Sequence, residues 1–129
     1  MAKKQSKEIR LGKLELQIMN AVWDKGSATV QEVKDALSDR KHAYSTILTM
    51  MRKLEAKGYL KHDVDERTYV YQPVISRKAV RHGILTDILD RLFDGSASLL
   101  LNSLAEQDRI DKKELLEIQK LIKERERNE

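Results

Sequence analysis

The spacing of apolar residues changes once along the chain, and this change constrains the fold more than any other feature. Before Gly58, apolar side chains recur every three or four positions in three short segments, as in helices with one buried face. The three stripes are Leu11, Leu14, Ile18 and Val22; Val30, Val33 and Leu37; and Ile47, Met50 or Met51, and Leu54. After Gly58, two β-prone runs at residues 59–63 and 68–72 flank a polar tip at residues 64–67. The pattern predicts three helices followed by a β-hairpin.

Local signals place the ends of these elements. Gly26 and Gly58 follow the first and third helices, where glycine commonly ends a helix. Thr29 and Glu32 have the spacing of a capping box and predict the start of the second helix. The third helix is predicted to span residues 43–57, and Pro73 closes the second strand.

Beyond Pro73 every apolar pattern is helical. Ser76 is the predicted cap of a fourth helix, Ser96 or Ser98 starts a fifth, and Asp111 caps a sixth. The fold class is therefore mainly α with a small β-hairpin. We expect two domains, residues 1–75 with a basic N-terminal arm (Lys3, Lys4, Lys7) and residues 76–129 as a helical region.

The excess positive charge is confined to the first of these regions. Residues 1–75 contain 14 Lys and Arg against 10 Asp and Glu, whereas residues 76–129 contain 11 of each. A basic domain joined to a neutral one is typical of a nucleic-acid binder attached to an assembly module.

Composition excludes several other classes of protein. The chain has no Cys, which fits a reducing cytoplasm and excludes thiolate metal sites, disulfides and a cysteine nucleophile. No apolar run approaches the ~20 residues of a membrane span. His42, His62 and His82 fall on different predicted elements without a carboxylate at ligand spacing, so we expect no metal and no cofactor. The sequence contains neither a glycine-rich phosphate loop nor a nucleophile and base at catalytic spacing, so we do not expect an enzyme.

Three short helices followed by a hairpin are the parts of a winged helix-turn-helix, whose third helix enters the DNA major groove. The polar face of the third helix carries Ser45, Thr46 and Thr49, whose hydroxyls suit base edges and phosphates alike. Arg52 and Lys53 follow one turn later and are predicted to contact phosphates. Arg67, at the hairpin tip, is placed to reach a phosphate or the minor groove.

Each of these residues also has an ordinary structural interpretation. Ser45 could cap the helix, and Arg52 with Lys53 could form only its solvated face. A winged helix can also serve as a protein–protein interaction module, with its C-terminal helices docking another partner. The agreement of the elements in order and spacing favours DNA.

Three stretches carry a family resemblance. The runs LGKLELQIMNAVWDKGSATVQEVKDAL, YSTILTMMRKLEAKGYL and ERTYVYQPVISRKAV closely resemble the penicillinase repressor family of bacterial winged-helix transcriptional repressors. The likeness extends from about Ile9 to Ile122. It implies a homodimer that binds a palindromic operator in double-stranded DNA and represses a resistance or stress gene such as a β-lactamase.

The resemblance implies that the C-terminal helices form the dimer. Their few apolar residues cannot build a core alone, and a second copy would remove them from water at ~25 cal/mol per Å². The predicted dimerisation residues are Ile84, Ile88, Leu92, Leu100, Leu104, Leu115, Ile118 and Leu121.

The resemblance also suggests how repression ends. In the β-lactam branch a membrane sensor protease responds to the antibiotic and acts indirectly, and the repressor is then cut after an Asn that precedes Phe. Asn102 occupies the matching place, but Ser103 follows it, a departure that weighs against cleavage at this bond. The absence of Cys excludes the paired-Cys copper sensing of related members.

Overall fold

The computed structural model describes residues 9–38 and 41–128, so the basic arm (Lys3, Lys4, Lys7) lies outside the described residues. Within the described part the order is three helices, a hairpin and three helices, which confirms the predicted fold class. The elements are α1 (Lys13–Lys25), α2 (Val30–Ala36), α3 (Tyr44–Ala56), β1 (Leu60–Asp65), β2 (Thr68–Pro73), α4 (Arg77–Leu92), α5 (Ala97–Glu106) and α6 (Lys112–Arg127).

Two compact units divide the chain between Ile84 and Leu85, inside α4. The first unit contains the hydrophobic core, to which α1, α2, α3 and both strands contribute. Its fully buried side chains include Ile18, Met19, Val22, Val33, Ile47, Met51, Leu54 and Tyr71. Full burial of such a side chain contributes about 1.5–3 kcal/mol, which makes this cluster the main source of stability in the first unit. The domain boundary expected at residue 75 stays a prediction.

The start of α1 is tied to the end of α3 by one buried carboxylate. Gly12 donates its backbone N–H to Glu15 Oε1 at 2.9 Å, and Lys57 Nζ lies 2.9 Å from Glu15 Oε2. Burial raises the pKa of Glu15, but the hydrogen bond from Gly12 and the charge of Lys57 outweigh it and hold the pKa below its usual value. The ionised form of Glu15 therefore stabilises the fold.

Glu15→Gln should destabilise the protein by about 1–3 kcal/mol at neutral pH, because glutamine keeps the bond to Gly12 but not the charge that pairs with Lys57. Since the folded-state pKa is lowered, this contribution is present above the unfolded pKa and is lost as pH falls through the folded value. Urea unfolding of both proteins from neutral to acidic pH measures the difference, which should shrink on acidification.

The matched control is Glu32→Gln. Glu32 accepts the same kind of N-terminal hydrogen bond, from Thr29 N at 2.9 Å, but it is exposed. We expect a near-neutral effect there. Equal losses for the two variants at neutral pH would show that the Lys57 pairing contributes nothing.

The predicted helix caps are confirmed at three positions. Thr29 Oγ1 accepts from Glu32 N at 3.1 Å at the start of α2, and Ser76 Oγ accepts from Ala79 N at 3.0 Å at the start of α4. Asp111 Oδ1 accepts from Glu114 N at 2.7 Å at the start of α6. Of the two serines considered for α5, Ser96 is the cap, with its Oγ 3.1 Å from Leu99 N.

The hairpin is longer and its turn is tighter than predicted. β1 continues to Asp65, which pairs with Thr68, so that only Glu66 and Arg67 form the turn. Their φ angles are 48° and 74°, the left-handed values that both central residues of a type I′ turn require. The turn carries no Asn-Gly signal, which is why the sequence indicated a four-residue tip instead.

The beginning of α4 is fastened to α1. Trp23 donates its indole N–H to the Ile75 carbonyl at 3.0 Å, and Arg77 lies 2.7 Å from Asp24 Oδ1. The Arg77 guanidinium also stands over the Trp23 ring, 5.3 Å from its centroid, within the range of a cation–π contact. These contacts hold the residues that follow the hairpin against α1 within the first unit.

The second unit has no buried side chain among its described residues. Its helices nevertheless carry many large apolar residues that are more than one-third exposed, namely Leu85, Ile88, Leu92, Leu99, Leu115, Leu116, Leu121 and Ile122. No helix in the described part of the chain is long and apolar enough to span a membrane.

Candidate nucleic-acid interface

Helix α3 separates its apolar and polar residues onto opposite sides. Ile47, Met51 and Leu54 are fully buried, which settles the choice between the adjacent methionines in favour of Met51. Because successive residues are rotated by ~100° around a helix, the opposite side carries the predicted interface residues. All five are exposed: Ser45, Thr46, Thr49, Arg52 and Lys53.

Ser45 does not cap α3. The N-cap of the helix is Ala43, which makes no side-chain capping bond, and Ser45 lies inside the first turn. Its hydroxyl is therefore available on the same face as Thr46 and Thr49. The helix ends at Ala56, and Gly58 follows with a φ of 90°, so that Tyr59 N can bond to the Leu54 carbonyl at 3.0 Å.

A groove of about 300 Å³ lies between α3, the start of α2 and the hairpin. It brings together Arg52 of α3 and Arg67 of the hairpin turn, two of the predicted phosphate contacts. The other lining residues are Thr29, Val30, Gln31, Tyr44, Leu48, Thr68 and Tyr69. Two guanidinium groups around one open groove favour an anionic partner that runs across both elements.

The groove owes its shape to a short β-bridge. Ala28 exchanges two backbone hydrogen bonds with Tyr71, of 2.9 and 2.8 Å, and so holds the start of α2 beside the hairpin. The Tyr71 side chain is fully buried, and burial raises its pKa above the ordinary value. The Tyr71 hydroxyl therefore stays protonated and uncharged beneath the interface.

The hairpin tip has mixed charge. Asp65 and Glu66 are exposed next to Arg67, and their carboxylates would be repelled by a phosphate backbone. A favourable contact at the tip therefore depends on where the Arg67 side chain is held. Arg67 also occupies left-handed backbone that a glycine or asparagine would adopt at lower cost.

Several lining residues had no separate signal in the sequence. Thr29, identified only as a helix cap, and Gln31 enter the groove because the Ala28–Tyr71 bridge turns α2 toward the hairpin. Tyr44 and Tyr69 also line the groove. The structure leaves 47% of Tyr44 and 43% of Tyr69 exposed at the groove.

The predicted dimerisation residues lie on α4, α5 and α6. Leu92, Leu121, Leu115 and Ile88 are exposed, with Leu92 the most open at 74%. Ile84, Leu100, Leu104 and Ile118 are half-buried. The single chain therefore leaves much of this apolar surface in contact with water.

The candidate cleavage bond lies inside a helix. Asn102 is exposed and Ser103 half-buried in the second half of α5. Since proteases cut extended chain, cleavage at this bond would require α5 to unwind locally.

Elsewhere in the described residues, no group of three or more His, Asp and Glu side chains could hold a metal ion. A second groove, of about 530 Å³, lies between α1 and the end of α2 and is lined by Gln17, Asn20, Asp24 and Lys25 among others. None of the predicted interface residues contributes to it.

The fold and the interface define a class. Three helices and a wing, with a hydroxyl-rich and basic face on the third helix, are the features of winged-helix transcription regulators. A solved structure of a MarR mutant from E. coli with operator DNA has this fold, with a TM-score of 0.51 at 14% identity, covering 88% of this chain and 74% of that one.

Comparison of sequences gives the family. The family model described as "Penicillinase repressor" matches residues 11–124. The chain is 33% identical over 94 residues to the transcriptional regulator BlaI of Mycobacterium tuberculosis, covering 71% of this chain and 68% of the relative. It is 28% identical over 111 residues to the penicillinase repressor of Bacillus licheniformis, covering 85% and 87%. The chain belongs to the penicillinase repressor family of transcriptional repressors, which are not enzymes.

Proposed function

We propose that the chain is a dimeric repressor that occupies a two-fold symmetric promoter operator, with α3 of each copy in the major groove. The observation that carries this proposal is the division of α3. Its buried side is anchored by Ile47, Met51 and Leu54. Its other side presents three short hydroxyl residues and two cations, namely Ser45, Thr46, Thr49, Arg52 and Lys53. Such a face can approach base edges closely without removing apolar surface from the core.

The interface residues take two roles in this proposal. Thr46 and Thr49 read base edges through their hydroxyls and pack their methyl groups on thymine, with Ser45 beside them. Arg52, Lys53 and Arg67 contact phosphates and fix the position of the helix. The shared groove of Arg52 and Arg67 supports this division, because a backbone strand that crosses it would meet both guanidinium groups.

A homodimer supplies the second half of the interface. The exposed apolar residues of α4, α5 and α6 remain in contact with water in the single chain, and a second copy offers the same apolar surface in return. A two-fold axis would place two α3 helices one DNA turn or a multiple apart, ~34 Å for one turn. Linking two weak readers raises the effective affinity by a factor on the order of 10² or more.

The relatives suggest what is regulated. The relative from Bacillus licheniformis is named penicillinase repressor, and by analogy we propose a resistance or stress gene, such as a β-lactamase, as the target of this chain. Release of the operator would follow from weakening the dimer. A membrane sensor protease, acting indirectly, is one candidate trigger.

A mobility-shift titration tests the proposal. The probes are a duplex from upstream of the chain's own coding sequence and a duplex of unrelated sequence with the same length. A repressor should shift the upstream duplex at a protein concentration far below that needed for the unrelated one. Equal affinity for both duplexes would contradict sequence-specific recognition. No binding to either would favour a protein–protein interaction module.

Replacement of Arg52 or Lys53 by Ala should weaken binding to both duplexes alike, because a phosphate contact carries no sequence information. Each substitution should also reduce the slope of log affinity against log salt by roughly one contact. The matched control is Lys120→Ala, which removes an exposed cation from α6. A slope unchanged from that of the parent protein would remove the substituted residue from the phosphate contacts.

A further inference from the structure

A small cluster joins the C-terminal half of α3 to both strands of the hairpin. His62 of β1 places Nδ1 2.8 Å from each carboxylate oxygen of Glu55 on α3. The imidazole ring stacks on the ring of Tyr69 in β2, with 4.0 Å between centroids and 10° between planes. The buried ring of Tyr71 lies on the same side, 5.5 Å from His62. The side chain of His62 therefore connects its own strand, β1, to both α3 and β2.

The chemistry of the contact sets its direction. A carboxylate only accepts hydrogen bonds, so His62 Nδ1 must carry the hydrogen and donate it to Glu55. The same bond also fixes the plane of the imidazole. Because Tyr69 stacks almost parallel to that plane, the Glu55–His62 bond orients β2 as well as β1.

The position of this cluster matters for the turn that follows. Tyr69 is two residues from Arg67, and both line the groove that contains Arg52. The turn itself is a two-residue connection in left-handed backbone, with carboxylates at Asp65 and Glu66. Because a cation and two carboxylates are neighbours at this tip, the orientation of the hairpin decides which charge faces an anionic partner.

We propose that Glu55, His62 and Tyr69 form a positioning contact that fixes the hairpin against α3 and so places Arg67 on a DNA phosphate across the groove from Arg52. This inference rests on the proposed function. The side chains of His62 and Glu55 are 27% and 33% exposed, so the pair is partly buried between α3 and the hairpin. In this proposal the Glu55–His62 pair sets the angle between α3 and the hairpin, both of which contact the DNA.

A double-mutant cycle between His62 and Arg67 tests this proposal in the full chain. Binding of His62→Ala, Arg67→Ala and the double variant is measured on the upstream duplex and on the unrelated duplex. Arg67→Ala should weaken binding about tenfold, as expected at the lower end for one hydrogen bond to a charged group. His62→Ala should weaken it by a similar factor, and the double variant should bind as weakly as Arg67→Ala alone. Non-additivity is expected because His62 acts only through Arg67.

Further variants separate positioning from folding. His82→Ala is the control, since His82 is exposed on α4; it should leave affinity unchanged. His62→Asn retains a hydrogen-bond donor near the position of Nδ1 and should bind more tightly than His62→Ala. His62→Phe keeps the aromatic stacking on Tyr69 but lacks the donor, so it should bind no more tightly than His62→Ala. Thermal unfolding of each variant near that of the parent protein would show that the losses do not come from the fold.

The outcomes are distinct. Losses that add in the double variant, or full affinity for both His62→Ala and His62→Phe, would overturn the positioning role while leaving the proposed function intact. Failure of the parent protein to prefer the upstream duplex would instead contradict the proposed function itself.

Discussion

Two aspartates in the apolar surface of the second unit should convert the protein to a monomer and lower its affinity for the operator by a factor on the order of 10² or more. Leu115 and Leu121 are both exposed in the single chain, so Leu115→Asp with Leu121→Asp should cost the monomer little. In the dimer the same positions would bury two unpaired carboxylates per copy, which is strongly unfavourable. Equilibrium sedimentation and mobility shift on the upstream duplex measure the two effects.

The matched control for this prediction lies on the other side of the same helix. Lys113→Gln with Lys120→Gln lowers the net charge by the same amount as the two aspartates, and both lysines are exposed. This variant should remain dimeric. A dimer of full operator affinity in the aspartate variant would show that α6 does not form the interface.

The second large effect is expected in α3. Thr46→Ala with Thr49→Ala should weaken binding to the upstream duplex by a factor on the order of 10 to 10², because each hydroxyl lost from a base contact costs about 1 kcal/mol or somewhat more. Binding to the unrelated duplex should change less than about twofold, since phosphate contacts remain. Mobility-shift titrations on both duplexes give the ratio.

Stability should not explain such a loss. Both threonines are exposed, and alanine favours helix more than threonine does. Thr86→Ala makes the same substitution at an exposed position of α4 and should have no effect on binding. Equal weakening on the two duplexes would mean that Thr46 and Thr49 do not read bases.

Sequence predicted the helices and their caps well because these depend on neighbours in the chain. Thr29 bonds to Glu32 and Asp111 to Glu114, three residues apart, so residue types and spacing contain the whole contact. The choice between Met50 and Met51 could not be made in this way. Adjacent positions differ by only ~100° around a helix, and packing by the other elements decided it.

The parts that sequence missed depend on distant residues. Glu15 and Lys57 are separated by 42 positions, and neither sequence segment indicates the other. The Glu55–His62 bond joins residues only seven positions apart, but it depends on how the chain passes from α3 into β1 around Gly58, which the periodicity does not indicate.

The candidate interface also has one part that the sequence predicted and one part that it did not. The exposed face of α3 followed from its own periodicity, and the structure places Ser45, Thr46, Thr49, Arg52 and Lys53 there together. The groove around Arg67 did not follow, because its α2 wall is brought in by the Ala28–Tyr71 bridge. A single alanine in a loop carries no signal of such a pairing.

The central claim is that α3 and the hairpin tip form the DNA-binding surface. Chemical-shift mapping of backbone amides tests it most directly, by titrating the isotope-labelled chain with the upstream duplex. The account predicts that the largest shifts fall at residues 45–53 and 66–69. Largest shifts in the groove between α1 and α2, at Gln17, Asn20 and Ser38, with α3 unchanged, would contradict it.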